Sequence, residues 1–243
     1  MSSAQARQLA QMVREARRIA VLTGAGVSTA SGIPDFRSAN GFYSDERNAN
    51  AFDINEFNRD PSFYYRFARE FYDVVAKAQP NVVHQALAAW EKRGQWVRIA
   101  TQNVDDLHQR AGSMHVYPVH GTVESSTCQD CARRVKTVSL EETIRAGQVP
   151  LCACGGVFKP DITFFGEMLP EDAWERSVRA MSQADLVLVL GTSLVVFPAA
   201  SLPGYRPDSA RLVIVNRDPT PEDAEADLVC RDDLSSLLEQ VAP

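Results

Sequence analysis

Ile19-Ala20-Val21-Leu22-Thr23-Gly24-Ala25-Gly26-Val27-Ser28 is the stretch that decides the fold. Its short apolar run suits a strand covered on both faces, and the small residues after it open a tight turn. Upstream, Leu9, Met12, Val13 and Ala16 recur at helical spacing, so the chain begins as helix, strand and glycine turn. Downstream, residues 96–100, 184–190, 211–215 and 227–230 are four further apolar runs separated by helical or loop sequence. Strands alternating with helices make a mostly parallel sheet, so the predicted class is α/β.

Polar and unusual residues gather just after these strands: GAGVS, TQNVDD, GTSL and NRD follow the first four in turn. In an open α/β sheet, ligands bind beyond the carboxyl ends of the strands, so the four loops are expected to converge on one crevice. Gly24-Ala25-Gly26 could bring backbone N–H groups close to a phosphate. The usual dinucleotide fingerprint is incomplete, however: Thr29 stands where its third glycine belongs, and no strand-ending acid follows about twenty residues later. Taken alone, the loop reads equally as a plain turn.

At 243 residues the chain suits one large α/β unit carrying smaller inserts. A net charge of −6 gives no electrostatic reason to bind nucleic acid directly and mildly favours basic peptides. No apolar run is long enough to span a bilayer, and the polar, helical start does not resemble a secretory signal. A cytoplasmic protein without a membrane partner is expected.

Two segments interrupt the strand pattern: residues 38–79, polar and then aromatic and helical, and residues 122–160, which hold paired cysteines. Cys128-x-x-Cys131 is followed after twenty residues by Cys152-x-Cys154, two knuckles able to close a tetrahedral zinc site. With every position filled by sulfur, such a site is structural. Cys230 ends an apolar strand and reads as core. His120, Asn103 and Asp105 lie near strand ends, where an imidazole can take a hydroxyl proton, an amide can orient a sugar or a water, and a carboxylate can hold an amide. His84, His108 and His115 keep the default structural reading.

Taken together, residues 24–37 (GAGVSTASGIPDFR), Thr101-Gln102-Asn103-Val104-Asp105, His120-Gly121, the four cysteines, Phe165-Gly166-Glu167 and Gly191-Thr192-Ser193 resemble the sirtuin family, in order and over nearly the whole chain. The resemblance implies a Rossmann-type NAD-binding domain (residues 1–37, 80–121 and 161–243), a helical insert with a cofactor loop (38–79) and a zinc-binding module (122–160). It implies NAD as co-substrate, structural zinc, and acetyl-lysine proteins or peptides as partners. Gly24, Ala25, Ser28, Thr29, Gly191, Thr192, Ser193 and Asn216 would surround the adenosine and phosphates. Phe36 and Arg37 would belong to the closing loop, Gln102 and Asn103 would address the nicotinamide ribose, and Ile33, Asp35, Val104 and Asp105 would form the carboxamide pocket. Asn103 and His120 would be catalytic. His120 would serve as general base on the ribose after the acetyl oxygen attacks the sugar carbon, yielding nicotinamide, O-acetyl-ADP-ribose and free lysine.

The lysine would pass between Phe165 and Val196, with the peptide added as a strand between residues 166–167 and 195–197 (Val195, Val196, Phe197). Thr163 replaces a commonly apolar residue, but its backbone should still serve. Members that prefer succinyl-lysine carry a tyrosine and an arginine at places that fall here on Ala68 and Phe71, so acetyl and longer neutral acyl groups are favoured. Tyr64, Tyr65 and Arg66 lie close enough in sequence for a shifted register to supply a tyrosine. ADP-ribosyl transfer to a protein is the alternative reaction. A non-catalytic sensing module would have lost His120, Asn103 or Asp105, and the altered glycine pattern and zinc knuckles speak against a dehydrogenase.

Overall fold

The computed structural model describes residues 3–36, 41–42 and 50–241. In chain order it contains α1 (Ser3–Glu15), β1 (Arg18–Thr23), α2 (Ile54–Arg59), α3 (Pro61–Lys77), α4 (Val82–Lys92), β2 (Trp96–Thr101), α5 (Leu107–Arg110), β3 (Val116–Pro118) and β4 (Gly121–Cys128). After these come β5 (Arg134–Lys136), α6 (Glu141–Arg145), β6 (Phe158–Ile162), α7 (Glu171–Gln183), β7 (Leu186–Leu190), β8 (Arg211–Val215), β9 (Leu228–Cys230) and α8 (Leu234–Val241).

Six strands form a parallel sheet in the order β3-β2-β1-β7-β8-β9. Five of them are the predicted apolar runs. The sixth, β3, was not predicted: it is three residues long, holds Pro118 and lies at the sheet edge, where a missing N–H is tolerated. Side chains of β1 alternate between two cores. Ile19 and Val21 pack on one face with Leu9 and Met12 of α1, Leu87 and Trp90 of α4 and Leu237 of α8. Ala20 and Leu22 pack on the other with Met181 of α7 and Leu202.

The second insert carries a sheet of its own, antiparallel in the order β5-β4-β6, which the cysteine spacing did not reveal. An aromatic cluster joins α3 (Tyr64, Phe67, Phe71) to Phe52, Phe164, Val123 and Ile162, so the two inserts share one core. The final helix is capped by Asp233, whose carboxylate accepts from the Ser236 N–H. Among the described residues no helix is long and apolar enough to cross a membrane.

Candidate active site

The turns after β1 and β7 are built against each other. Gly24 N–H donates to Leu190 O and Gly26 N–H to Gly191 O. A Cβ on Gly24 would stand 2.6 Å from Thr192 Cβ, one on Gly26 2.8 Å from Gly191 Cα, and one on Gly191 2.6 Å from Val27 N. These glycines therefore permit two backbones to touch, and the amides of Gly24 and Gly26 are spent on that contact instead of facing a phosphate. Asn81 fixes the turn from beneath: it caps α4 and donates from its side chain to Val27 O and Ser31 Oγ.

The turn after β2 joins the same place. Gln102 N–H donates to Thr23 O, and its side chain reaches Thr192 Oγ1 at 3.0 Å, so three strand ends meet. Asn103 Nδ2 donates to Ser28 Oγ at 3.0 Å, and the Ser28 hydroxyl donates to Asp105 Oδ2 at 2.8 Å. Leu107 N–H holds Asp105 Oδ1. Burial pushes the Asp105 carboxyl above its ordinary range, and the Leu107 and Ser28 hydrogen bonds pull it back. Ser28, expected beside the phosphates, has its hydroxyl committed to this chain.

A small cavity, about 20 Å³, opens over the chain, lined by Ala25, Ser28, Ile33 and Phe36 of the first turn, Asn103, Val104 and Asp105 of the second, and Pro34, Phe71 and Val75. Phe71 and Val75 are one helical turn apart on α3, a 3.6-period signal present in the sequence but not tied to the site. Asp35 does not line the cavity; its carbonyl accepts from Phe42 N–H. Thr29 is exposed and bonds back to Gly26 O. Ser193 follows Thr192 in the turn after β7, and Asn216 at the end of β8 donates to Asp218 O. Arg37 lies outside the described residues. The donor set fits a carboxamide and a sugar: each Asp105 oxygen retains a lone pair for an amide N–H.

His120, between β3 and β4, is one hydrogen bond from this network, its Nδ1 lying 3.0 Å from Gln102 O. A carbonyl can only accept, so Nδ1 carries the proton and Nε2 is the basic nitrogen. The His120 carbonyl accepts from Thr163 N–H at 2.8 Å, so the departure at Thr163 leaves its backbone role intact. His84 and His108 are buried with ring centroids 4.7 Å apart, and burial lowers their pKa values to about 4 and about 3. His108 pairs with Thr23 Oγ1, and His115 pairs with Glu91.

After β6, Phe165 N–H donates to Phe52 O and its carbonyl accepts from Ile54 N–H, while Gly166 adopts φ +93° and Glu167 follows. After β7, the Val196 carbonyl accepts from Ala200 N–H. Phe165, Val195 and Phe197 are all exposed, as a docking groove for an extended chain requires.

The four cysteines converge as predicted, all sulfurs within 4.8 Å of one another. Cys128–Cys154 and Cys131–Cys152 are separated by 3.6 and 3.7 Å. Zinc–sulfur bonds of about 2.3 Å in a tetrahedron place sulfurs about 3.8 Å apart, so the cluster fits zinc. Cys128 ends β4 and His120 precedes it; at about 3.4 Å per residue that strand puts the metal roughly 20–25 Å from the imidazole. Such a zinc is structural. Cys230 is buried in the sheet core, as expected.

Ala68 is fully buried, and Phe71 lines the cavity. Tyr64 is buried among aromatic rings, Tyr65 bonds Phe158 O, and Arg66 bonds Ser62 on the exposed side. A shifted register therefore brings no tyrosine into the cavity.

Comparison with known proteins agrees with this geometry. The sequence model described as "Sir2 family" matches residues 24–198. The NAD-dependent protein deacetylase of Thermotoga maritima is 42% identical over 237 residues, 97% of this chain and 96% of that protein. A solved Sir2 structure with a deacetylated peptide and 3′-O-acetyl ADP-ribose superposes with a TM-score of 0.92 at 41% identity, covering 98% of this chain and 97% of that one. Another, Sir2 bound to a propionylated peptide, superposes at 0.88 and 41%, covering 97% and 96%. Identity of this extent over the whole chain, on a matching site, shows that the protein belongs to the Sir2 family of NAD-dependent protein deacetylases.

Proposed function

We propose that the cavity over Asn103, Ser28 and Asp105 takes the nicotinamide end of NAD, and that His120 is the general base of the deacetylation. The reaction consumes NAD, acetyl-lysine and one water and gives nicotinamide, O-acetyl-ADP-ribose and free lysine. NAD supplies a sugar carbon that loses nicotinamide and accepts the acetyl oxygen. The carboxylate of Asp105, kept in place by Ser28 and Leu107, holds the carboxamide; Asn103 orients the sugar beside it. Ile33, Phe36, Phe71 and Val75 wall the cavity with apolar surface and exclude water from a carbon that would otherwise be hydrolysed.

His120 takes the proton of a ribose hydroxyl at Nε2, its Nδ1–H held by Gln102 O. This bond, which makes Nε2 the basic nitrogen and ties the ring to the residue preceding Asn103, is the observation that carries the reading. The peptide adds between residues 166–167 and 195–197, beside the exposed side chains of Phe165, Val195 and Phe197. Gly24, Ala25, Thr29, Gly191, Thr192, Ser193 and Asn216 lie toward the remainder of the nucleotide, with Arg37 on the closing loop. The boundaries 1–37, 80–121 and 161–243 for the NAD-binding part, 38–79 and 122–160 for the inserts are retained as part of this proposal. Acetyl and longer neutral acyl groups are preferred over succinyl, because Ala68 and Phe71 offer no partner for a carboxylate. Four thiols held ready for zinc fit a reducing compartment and hence the cytoplasm.

The test is incubation with an acetyl-lysine peptide, with and without NAD, following peptide mass, nicotinamide and O-acetyl-ADP-ribose together. Loss of acetyl only with NAD, matched by both products and abolished in His120→Ala, supports the assignment. Nicotinamide release with the peptide still acetylated would favour ADP-ribosyl transfer.

A further inference from the structure

Among the described residues, Lys159 in β6 is the only buried lysine or arginine. Its ammonium has three protons and three oxygen acceptors: Glu167 Oε2 at 2.8 Å, Ile162 O at 2.8 Å and Pro160 O at 3.2 Å. The Phe164 ring lies 4.2 Å from the nitrogen. The Glu167 oxygen that meets Lys159 also accepts from Phe164 N–H at 2.7 Å, and Glu167 N–H returns to Phe164 O. Residues 164–167 are thus folded into a closed turn, with Gly166 at φ +93° as its corner. Apolar side chains in place of both Lys159 and Glu167 would cost little stability, since a buried ion pair gains little over a hydrophobic replacement, whereas removing one member alone strands the other. What the pair adds is direction: it fixes where the Glu167 carboxylate lies, and with it the path of residues 165–167.

We propose that Lys159 is a positioning residue for substrate, acting through Glu167 to hold the turn at residues 165–167 in the position beside which the acetyl-lysine peptide adds. This rests on the reading of residues 165–167 as a peptide-binding segment. Lys159 touches neither the peptide nor NAD, and its effect is confined to the peptide side of the site. No residue of the Asn103–Ser28–Asp105 chain is bonded to the pair, so NAD binding is unaffected.

Steady-state kinetics on Lys159→Met, Glu167→Gln, the double variant and Phe165→Ala test this, with zinc content and thermal unfolding measured alongside. Lys159→Met is expected to raise the peptide KM about tenfold or more, leaving kcat within about threefold and the NAD KM within about twofold. Glu167→Gln raises the peptide KM in the same direction, and the double variant is no worse than Lys159→Met, because one interaction is lost in all three. Should Lys159→Met fail to fold, Glu167→Gln at the exposed end of the pair carries the test alone. An unchanged peptide KM in folded Lys159→Met or Glu167→Gln, while Phe165→Ala raises it, overturns the positioning role and leaves the peptide segment standing. An unchanged KM in Phe165→Ala removes the segment itself and the proposal with it.

Discussion

Gly121→Ala is expected to lower kcat/KM about 100-fold or more while the protein still folds and binds zinc. Gly121 follows His120 directly and has φ +78°. A Cβ there would stand 1.9 Å from Asp161 O, 3.0 Å from Asp161 C and 3.2 Å from Ile162 Cα, all of them main-chain atoms of the neighbouring strand β6. No rotamer change relieves this contact. Reaching even 3.0 Å requires β4 and β6 to separate by about 1.1 Å at that point. The His120 carbonyl is tied to Thr163 N–H across the same gap at 2.8 Å, so the separation is passed to the histidine backbone. A misplacement of about 1 Å at a catalytic group costs about 100-fold in rate.

Stability falls too, by roughly 1–3 kcal/mol for a non-glycine residue at positive φ and about 1 kcal/mol for the weakened hydrogen bond. Gly94→Ala is the control. Gly94 has φ +91° with nothing within 4 Å of its Cβ position, so it suffers the strain without the clash and should keep wild-type activity. The assay is initial rate against acetyl peptide at saturating NAD, with zinc content and thermal unfolding measured on each variant. Activity of Gly121→Ala within about fivefold of Gly94→Ala would refute the reasoning.

Acid should destabilise the fold well before its carboxylates titrate. His84 and His108 stay neutral in the folded chain down to about pH 4 and about pH 3 because they are buried, whereas unfolding frees them to protonate near 6.5. Their contribution is complete above 6.5 and is lost as pH falls: about 2 kcal/mol each, about 4 together, between pH 6.5 and 5. Asp105 acts in the opposite sense as its raised pKa is approached. Urea unfolding at pH 7, 6 and 5 checks this, and a flat profile contradicts it. Removing zinc with a chelator should melt the small antiparallel sheet and abolish deacetylation, both returning on zinc addition; full activity without metal would contradict the structural role. Succinyl peptide should be turned over at least about 100-fold more slowly than acetyl peptide, and Ala68→Tyr with Phe71→Arg should narrow that ratio.

Five of the six parallel strands were legible as apolar runs because buried strands contain little else, and the cysteine knuckles announced themselves through spacing alone. What the sequence withheld are contacts between distant residues. Gly24 and Gly26 looked like a phosphate turn; the need for them comes from Gly191, which shares no local pattern with them. Ser28 meets Asp105 across 77 residues, and only the fold brings the two strand ends together. Phe71 sat in an evident aromatic helix, yet periodicity tells which residues share a face and not what the face covers. Lys159 stood beside a proline in an unremarkable strand, and its burial follows from a turn that closes over it after the strand has ended.

The architecture sets His120 and the cysteine cluster at opposite ends of one strand pair. His120 is held at three points from different elements: its side chain by Gln102 O at the end of β2, its carbonyl by Thr163 N–H at the end of β6, and its successor Gly121 against the Asp161 carbonyl. Two of these belong to the small sheet, whose far end is closed by the cysteine cluster. Among the described residues the apolar cluster at the cysteine end is small, Cys128, Cys152 and Phe158 with Val135 and Leu140 against them, whereas Val123 of β4 and Ile162 of β6 belong to the large aromatic core. The ladder shifts register between Gly121 and Ser126, so the cysteine cluster secures one end of the strand pair while the shared aromatic core secures the histidine end. The same β6 continues into the turn pinned by Lys159 and Glu167, so one strand places His120, the proposed general base, on one side and the proposed peptide segment on the other. A perturbation that slides β6 should accordingly damage catalysis and peptide binding together, whereas one confined to the Lys159–Glu167 pair should damage peptide binding alone.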